Sequence, residues 1–202
     1  MRTWLLELPD LVCLALVYFA VLLPRWRCSG KGLLFKTVFY LYLCLVLHFT
    51  LMPFLFFAPG RAAFSHINLI PFRDFLMGHG GARKEFLLNV LMTVPFGVFL
   101  PLIYGKSFSR TVGWALVFSL AIEILQLFSG NYRIADVTDV ISNTVGGAAG
   151  FTLFLPFRRA ALSGTAARAG STGPRGASKR EKAVWAAFLL QILVKSFLAA
   201  YF

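Results

Sequence analysis

Charge is what this sequence has least of. Only 14% of its 202 residues are Asp, Glu, Lys or Arg, and just 8 of them are acidic. A soluble domain of this length carries roughly a quarter charged residues, so too little polar material is present to coat a water-facing globule. Cysteine is also sparse, at three residues. Cys13, Cys28 and Cys44 have no metal-ligand spacing and lie in or beside apolar stretches, which makes them small buried hydrophobes and not zinc ligands or a disulfide framework. No Ser-His-Asp arrangement, zinc pattern or nucleotide-binding loop occurs, so no metal and no cofactor is implied. No internal repeat marks an inverted-repeat transporter. The formal net charge of +12 would suggest nucleic acid in a soluble protein. Here the basic residues sit between apolar runs and no nucleic-acid motif accompanies them, so no nucleic-acid partner is expected.

What the sequence has in abundance is hydrocarbon. Apolar residues make up 58%, with 22 Phe, and the mean hydropathy is +0.75. A helix needs about 20 apolar residues to cross the hydrocarbon of a bilayer. Six stretches come close: 4–23, weakened by Glu7, Pro9 and Asp10; 37–57; 86–104; 111–128; the short, Gly-rich 140–156; and 183–202, where Lys195 can snorkel to an interface. The fold expected is therefore an all-α integral membrane protein, a polytopic helical bundle of about six transmembrane helices. The first run lacks a small-x-small cleavage site and is taken as a retained helix.

The organisation expected has four parts. Residues 1–35 form an N-terminal transmembrane helix with a basic connection, and 36–156 a membrane domain. Residues 157–182 form a flexible basic linker rich in Ala, Gly, Ser and Arg, and 183–202 a last transmembrane helix. Three connections, following the first, third and fifth runs, hold 13 of the 20 basic residues. By the positive-inside rule they face the cytoplasm, which puts the N-terminus outside. The connection 58–85 is apolar enough to pack as a re-entrant or interfacial segment.

Ionisable groups inside a span cost roughly 2.5–3.5 kcal/mol each at the centre, so each needs a reason. Glu123 and Gln126 share one face of the fourth run. Arg133 precedes Asp136, Asp139 and Asn143, whose i, i+3, i+7 spacing makes one helical stripe at the start of the fifth run. Capping accounts for Asp136 or Thr138 but not for the whole stripe. Asn89 lies near the outer end of the third run, whose Pro95 and Pro101 suggest a kinked packing helix. Arg73, His66 and His79 are available from the outer loop. Two readings stay open for this cluster. One is a network of ion pairs and hydrogen bonds that fixes helix packing. The other is an outward-facing site for a polar headgroup or a hard cation. The GxxxG spacing Gly146–Gly150 permits close helix approach, to a partner in this chain or in another copy.

Three motifs in order carry a resemblance. They are Asn68-Leu-Ile-Pro71-Phe72; Asn89 through Pro101 with its Pro-Phe-Gly core; and Glu123-x-x-Gln126 followed by Arg133-x-x-Asp136-x-x-Asp139-x-x-x-Asn143-x-x-Gly146. Over roughly residues 36–156 the chain resembles the VanZ-like family, named after a membrane protein associated with teicoplanin resistance. The resemblance implies a multi-pass protein of the bacterial plasma membrane linked to glycopeptide response. The candidate polar site comprises Asn68, Arg73, Asn89, Glu123, Gln126, Arg133, Asp136, Asp139 and Asn143. Membrane lipids are expected partners, and a glycopeptide or cell-wall precursor headgroup is the candidate ligand. A non-enzymatic role in resistance stands beside its alternative, a membrane-embedded enzyme in which Glu123, Asp136 and Asp139 supply acid, base or cation ligands and Arg73 and Arg133 hold a phosphate of a lipid-linked substrate.

Overall fold

The computed structural model describes residues 3–28, 32–54, 67–127 and 135–158. Among them are five helices long and apolar enough to cross a bilayer: Glu7–Arg27, Leu33–Leu51, Ala82–Tyr104, Phe108–Leu127 and Val137–Phe157. The chain is an all-α membrane protein. The expected sixth span, residues 159–182 of the basic linker, and Arg133 lie outside the described residues.

Two compact units make up the chain, and each has its own helices. The first contains α1 (Thr3–Val17), a five-residue π turn (Tyr18–Leu22), α2 (Leu23–Cys28) and α3 (Leu33–Leu51). In the π turn the Leu23 amide reaches back five residues to the Tyr18 carbonyl. The Tyr40 hydroxyl of α3 donates to the Leu14 carbonyl just before this widened turn, at 2.8 Å. Tyr18 and Tyr40 stack at 5.5 Å, and the Tyr18 and Thr37 hydroxyls share a hydrogen bond. The second span was expected at 37–57, but α3 ends at Leu51. Met52 is extended (φ −78°, ψ 149°), and the Pro53 that follows has no amide hydrogen with which to continue the helical ladder.

The second unit contains β1 (Ile67–Asn68), α4 (Arg73–Leu76), α5 (Ala82–Tyr104), α6 (Phe108–Leu127), β2 (Ala135–Asp136) and α7 (Val137–Phe154), which a 3-10 turn extends to Phe157. A left-handed Gly105 (φ 61°) ends α5, its amide bonding the Pro101 carbonyl, and the chain reverses into α6. The three long helices alternate in direction, so α5 and α7 run parallel with α6 antiparallel to both. The parallel bridge pairing Ile67 with Ala135 and Asn68 with Asp136 follows from this order, since each short strand enters its helix from the same end. Helix α7 begins three residues before the expected 140 because Asp136 caps it, accepting from the Thr138 amide.

Glycine determines how closely α7 approaches its neighbours. A Cβ on Gly146 would collide with the Val90 carbonyl and Thr93 Oγ1 of α5, one on Gly150 with the Val94 carbonyl, and one on Gly97 with the Gly147 carbonyl. On the other side of α7, a Cβ on Gly147 would strike Ala115 of α6. The Gly146–Gly150 spacing therefore serves contact within this chain. In lipid no hydrophobic force drives helices together, so this backbone-close van der Waals packing holds the unit. Pro95 and Pro101 sit inside a continuous α5, consistent with a packing helix.

Candidate functional site

The site assembles where β1 and β2 feed α5 and α7, beside the last turns of α6. Asp136 stands at its centre. One carboxylate oxygen caps α7 by accepting from the Thr138 amide at 2.7 Å, and the other accepts from Asn68 Nδ2 at 2.8 Å. Its own amide donates to Glu123 Oε2 of α6 at 3.0 Å. Asp136 thus ties the loop before α4, the end of α6 and the start of α7 through three bonds. Hydrogen bonds with an ionised partner are the stronger kind.

The loop motif Asn68-Leu-Ile-Pro71-Phe72 is tied to α7 at a second point. Asn68 Oδ1 accepts from the Ile70 amide, closing a local turn. The Phe72 amide donates to Thr138 Oγ1 at 3.0 Å. Phe72 is the one non-glycine described residue with positive φ (58°), a conformation that costs energy for a side chain this large. Its bond to Thr138 holds it there. Thr138 therefore works twice, through its amide on Asp136 and its hydroxyl on Phe72.

Asp139 lies one turn further on. It accepts from Asn89 Nδ2 of α5 at 2.6 Å, while the Asn89 carbonyl accepts from Thr93 Oγ1. Deeper still, Asn143 of α7 donates to Ser119 Oγ of α6 at 2.9 Å. Asn143 is only 2% exposed, and its Oδ1 is buried with no hydrogen-bond partner among the described residues. Glu123 and Gln126 are both buried, at 6% and 7% exposure, as their shared face requires.

Of the residues singled out from sequence, Asn68, Asn89, Glu123, Asp136 and Asp139 are thus knitted into one hydrogen-bonded region, with Asn143 a turn deeper and Gln126 buried alongside on α6. Arg73 opens α4 as an exposed residue, and no ion pair joins it to the cluster among the described residues. His79 is spent locally, bonding Asp74 at 3.1 Å on the surface. Sequence reasoning missed Ser119, whose only signal was its place one turn before Glu123 on the same face. It also missed Asp10, treated as a weakness of the first span. In the first unit Asp10 is wholly buried and accepts from the Phe54 amide at 2.9 Å, so a residue costly in a membrane is kept by the backbone group it satisfies. Among the described residues, no group of three or more His, Cys, Asp or Glu converges as a metal site.

The chemistry of this arrangement is that of a clamp. Each carboxylate is engaged by an amide of the chain, and partners 68 and 13 residues away in sequence converge on Asp136. Burial lowers the local dielectric and strengthens each bond, and it makes loss of any single partner costly.

The region that forms this clamp lies within a match to a known family. A family model described as VanZ/LLP1 matches residues 39–159. Protein VanZ of Enterococcus faecium is 37% identical over 89 residues, which is 44% of this chain and 52% of that protein. The chain thus spans about half the length of the curated relative it matches. No solved structure matches. The matched region takes in α5, α6, α7 and the polar clamp between them, and the chain belongs to the VanZ/LLP1 family.

Proposed function

We propose that this is a multi-pass protein of the bacterial plasma membrane that lowers susceptibility to glycopeptide antibiotics of the teicoplanin type, without catalysing a reaction. Family membership supports the link to the drug class. The observation that carries the non-catalytic part is the bonding of Asp136, whose two oxygens are both committed to the chain's own amides. A carboxylate used to hold a loop to a helix is poorly placed to carry protons for a substrate. In this reading the clamp presents the 68–72 loop as a rigid surface at the outer leaflet. There it engages a wall-precursor headgroup or the drug itself, and lipids surround the helices.

The enzyme reading retains one favourable observation: Asp139 is partly exposed, and its carboxylate is held by one bond, from Asn89 of a neighbouring helix. One experiment separates the two. The protein and its Asp136→Asn and Asp139→Asn variants are expressed in a susceptible Gram-positive host, and inhibitory concentrations of teicoplanin and vancomycin are measured at matched membrane levels. The expected outcome is protection by the native chain, falling more for Asp136→Asn than for Asp139→Asn. No change for either drug with the native chain rejects the resistance role. Complete loss in a well-folded Asp139→Asn protein, with Asp136→Asn still protective, favours catalysis.

A further inference from the structure

At the opposite end of the same three helices lies a cavity of about 270 Å³, lined by Pro101, Gly105, Lys106, Ser107, Phe108, Phe151, Phe154 and Arg158. Its composition divides sharply. The walls are hydrocarbon and aromatic: Phe108 packs edge-on to Phe151 at 5.4 Å, and Phe151 meets Phe154 at 6.2 Å. The rim is polar and cationic, with Lys106 and Ser107 from the α5–α6 turn and Arg158 from just beyond α7. Arg110 stands exposed one turn into α6.

Nothing described in this unit neutralises those cations. The acidic residues of the second unit among those described are Asp74, Glu85, Glu123, Asp136 and Asp139. All five precede or open α5, close α6 or open α7, at the clamp end. Lys106, Arg110 and Arg158 therefore share their end with no described carboxylate. Their bland role is to complement the carbonyl ends of α5 and α7 and to orient the chain. That role requires no cavity between them.

From the cavity, its two cations and the lack of a counter-charge among the described residues, we propose that this end of the unit binds the phosphate of an anionic phospholipid. The phosphate lies between Lys106 and Arg158 with Ser107 as a further donor, and the acyl chains leave along the aromatic walls. Charge-assisted bonds from Arg and Lys are the usual means of holding a phosphate oxygen. A lipid is favoured over a free phosphate because Tyr104, Phe108, Leu155 and Phe157 around the opening are exposed apolar residues. The cavity also sits at the ends of membrane-crossing helices, where headgroups reside. This site is distinct from the clamp and does not depend on the role proposed for it.

The test uses the full chain purified in detergent and reconstituted into nanodiscs, with bound lipid read by native mass spectrometry. Phosphatidylglycerol is compared with phosphatidylcholine, which has the same phosphate but no net charge, and with phosphatidylglycerol plus inorganic phosphate as competitor. The native chain should retain phosphatidylglycerol over phosphatidylcholine by about tenfold, and Lys106→Gln with Arg158→Gln should remove most of that preference. Lys106→Arg should keep it, as should Arg83→Gln with Lys84→Gln at the clamp end. A native chain with no preference overturns the proposal, as does a Lys106→Gln, Arg158→Gln protein that keeps the full preference at unchanged thermal stability. Displacement of the lipid by millimolar inorganic phosphate overturns the lipid assignment and gives the cavity to a free anion.

Discussion

The two units solve the same problem by different means. In the first, α1 and its π turn are joined to α3 and the residues just after it by side chains that reach across: Asp10 to the Phe54 amide, Tyr40 to the Leu14 carbonyl, and the Tyr18–Tyr40 stack. In the second, α5 and α7 are joined by the absence of side chains, with Gly97, Gly146 and Gly150 laid against opposing backbone. A reaching side chain can adjust its rotamer when a neighbour changes, whereas backbone pressed on backbone cannot. The difference teaches where each unit is vulnerable: the first to lost polar partners, the second to added volume.

The largest effect should come from adding volume in the second unit. Gly146→Leu forces a side chain into Val90 and Thr93, and should cost about 3 kcal/mol, enough to lose most folded protein. Thermal unfolding in detergent measures it, with Gly113→Leu as the control, because nothing lies within 4 Å of a Cβ there. Equal stability of the two variants would break the comparison. In the first unit, Asp10→Ala strips the buried Phe54 amide of its acceptor and should cost about 1–3 kcal/mol in the same measurement. Tyr40→Phe should cost least, about 1 kcal/mol, since it keeps the ring stack and loses the hydroxyl's bond to the Leu14 carbonyl and its weaker contact with the Cys44 thiol. A Tyr40→Phe loss as large as that of Asp10→Ala would show that the π turn depends on this hydroxyl more than its bond to Leu14 suggests.

The polar clamp shows how far sequence reasoning reaches. Glu123 and Gln126 on one face, and the stripe from Asp136 to Asn143, were legible because helical periodicity and membrane cost act locally. That Asn68 would be the partner of Asp136 was not, because 68 residues separate them and no periodicity spans that distance. Arg73 was a reasonable ion-pair candidate by charge alone. It was left out of the clamp because the neutral amides of Asn68 and Asn89 bond the carboxylates instead. Asp10 looked like a defect because a backbone amide that it satisfies lies 44 residues away.

The sequence by itself determined that the chain enters a membrane, roughly where its helices lie, and which residues are too polar to face lipid. Those are consequences of transfer free energy and local geometry, which each segment carries independently. Only the tertiary structure decided that the Gly146–Gly150 stripe meets α5 of the same chain, that α5 and α7 run parallel beneath a two-residue strand bridge, and that Asp136 is the junction of three elements. Those outcomes depend on which surfaces fit at contact distance, and that complementarity exists only once the helices are side by side.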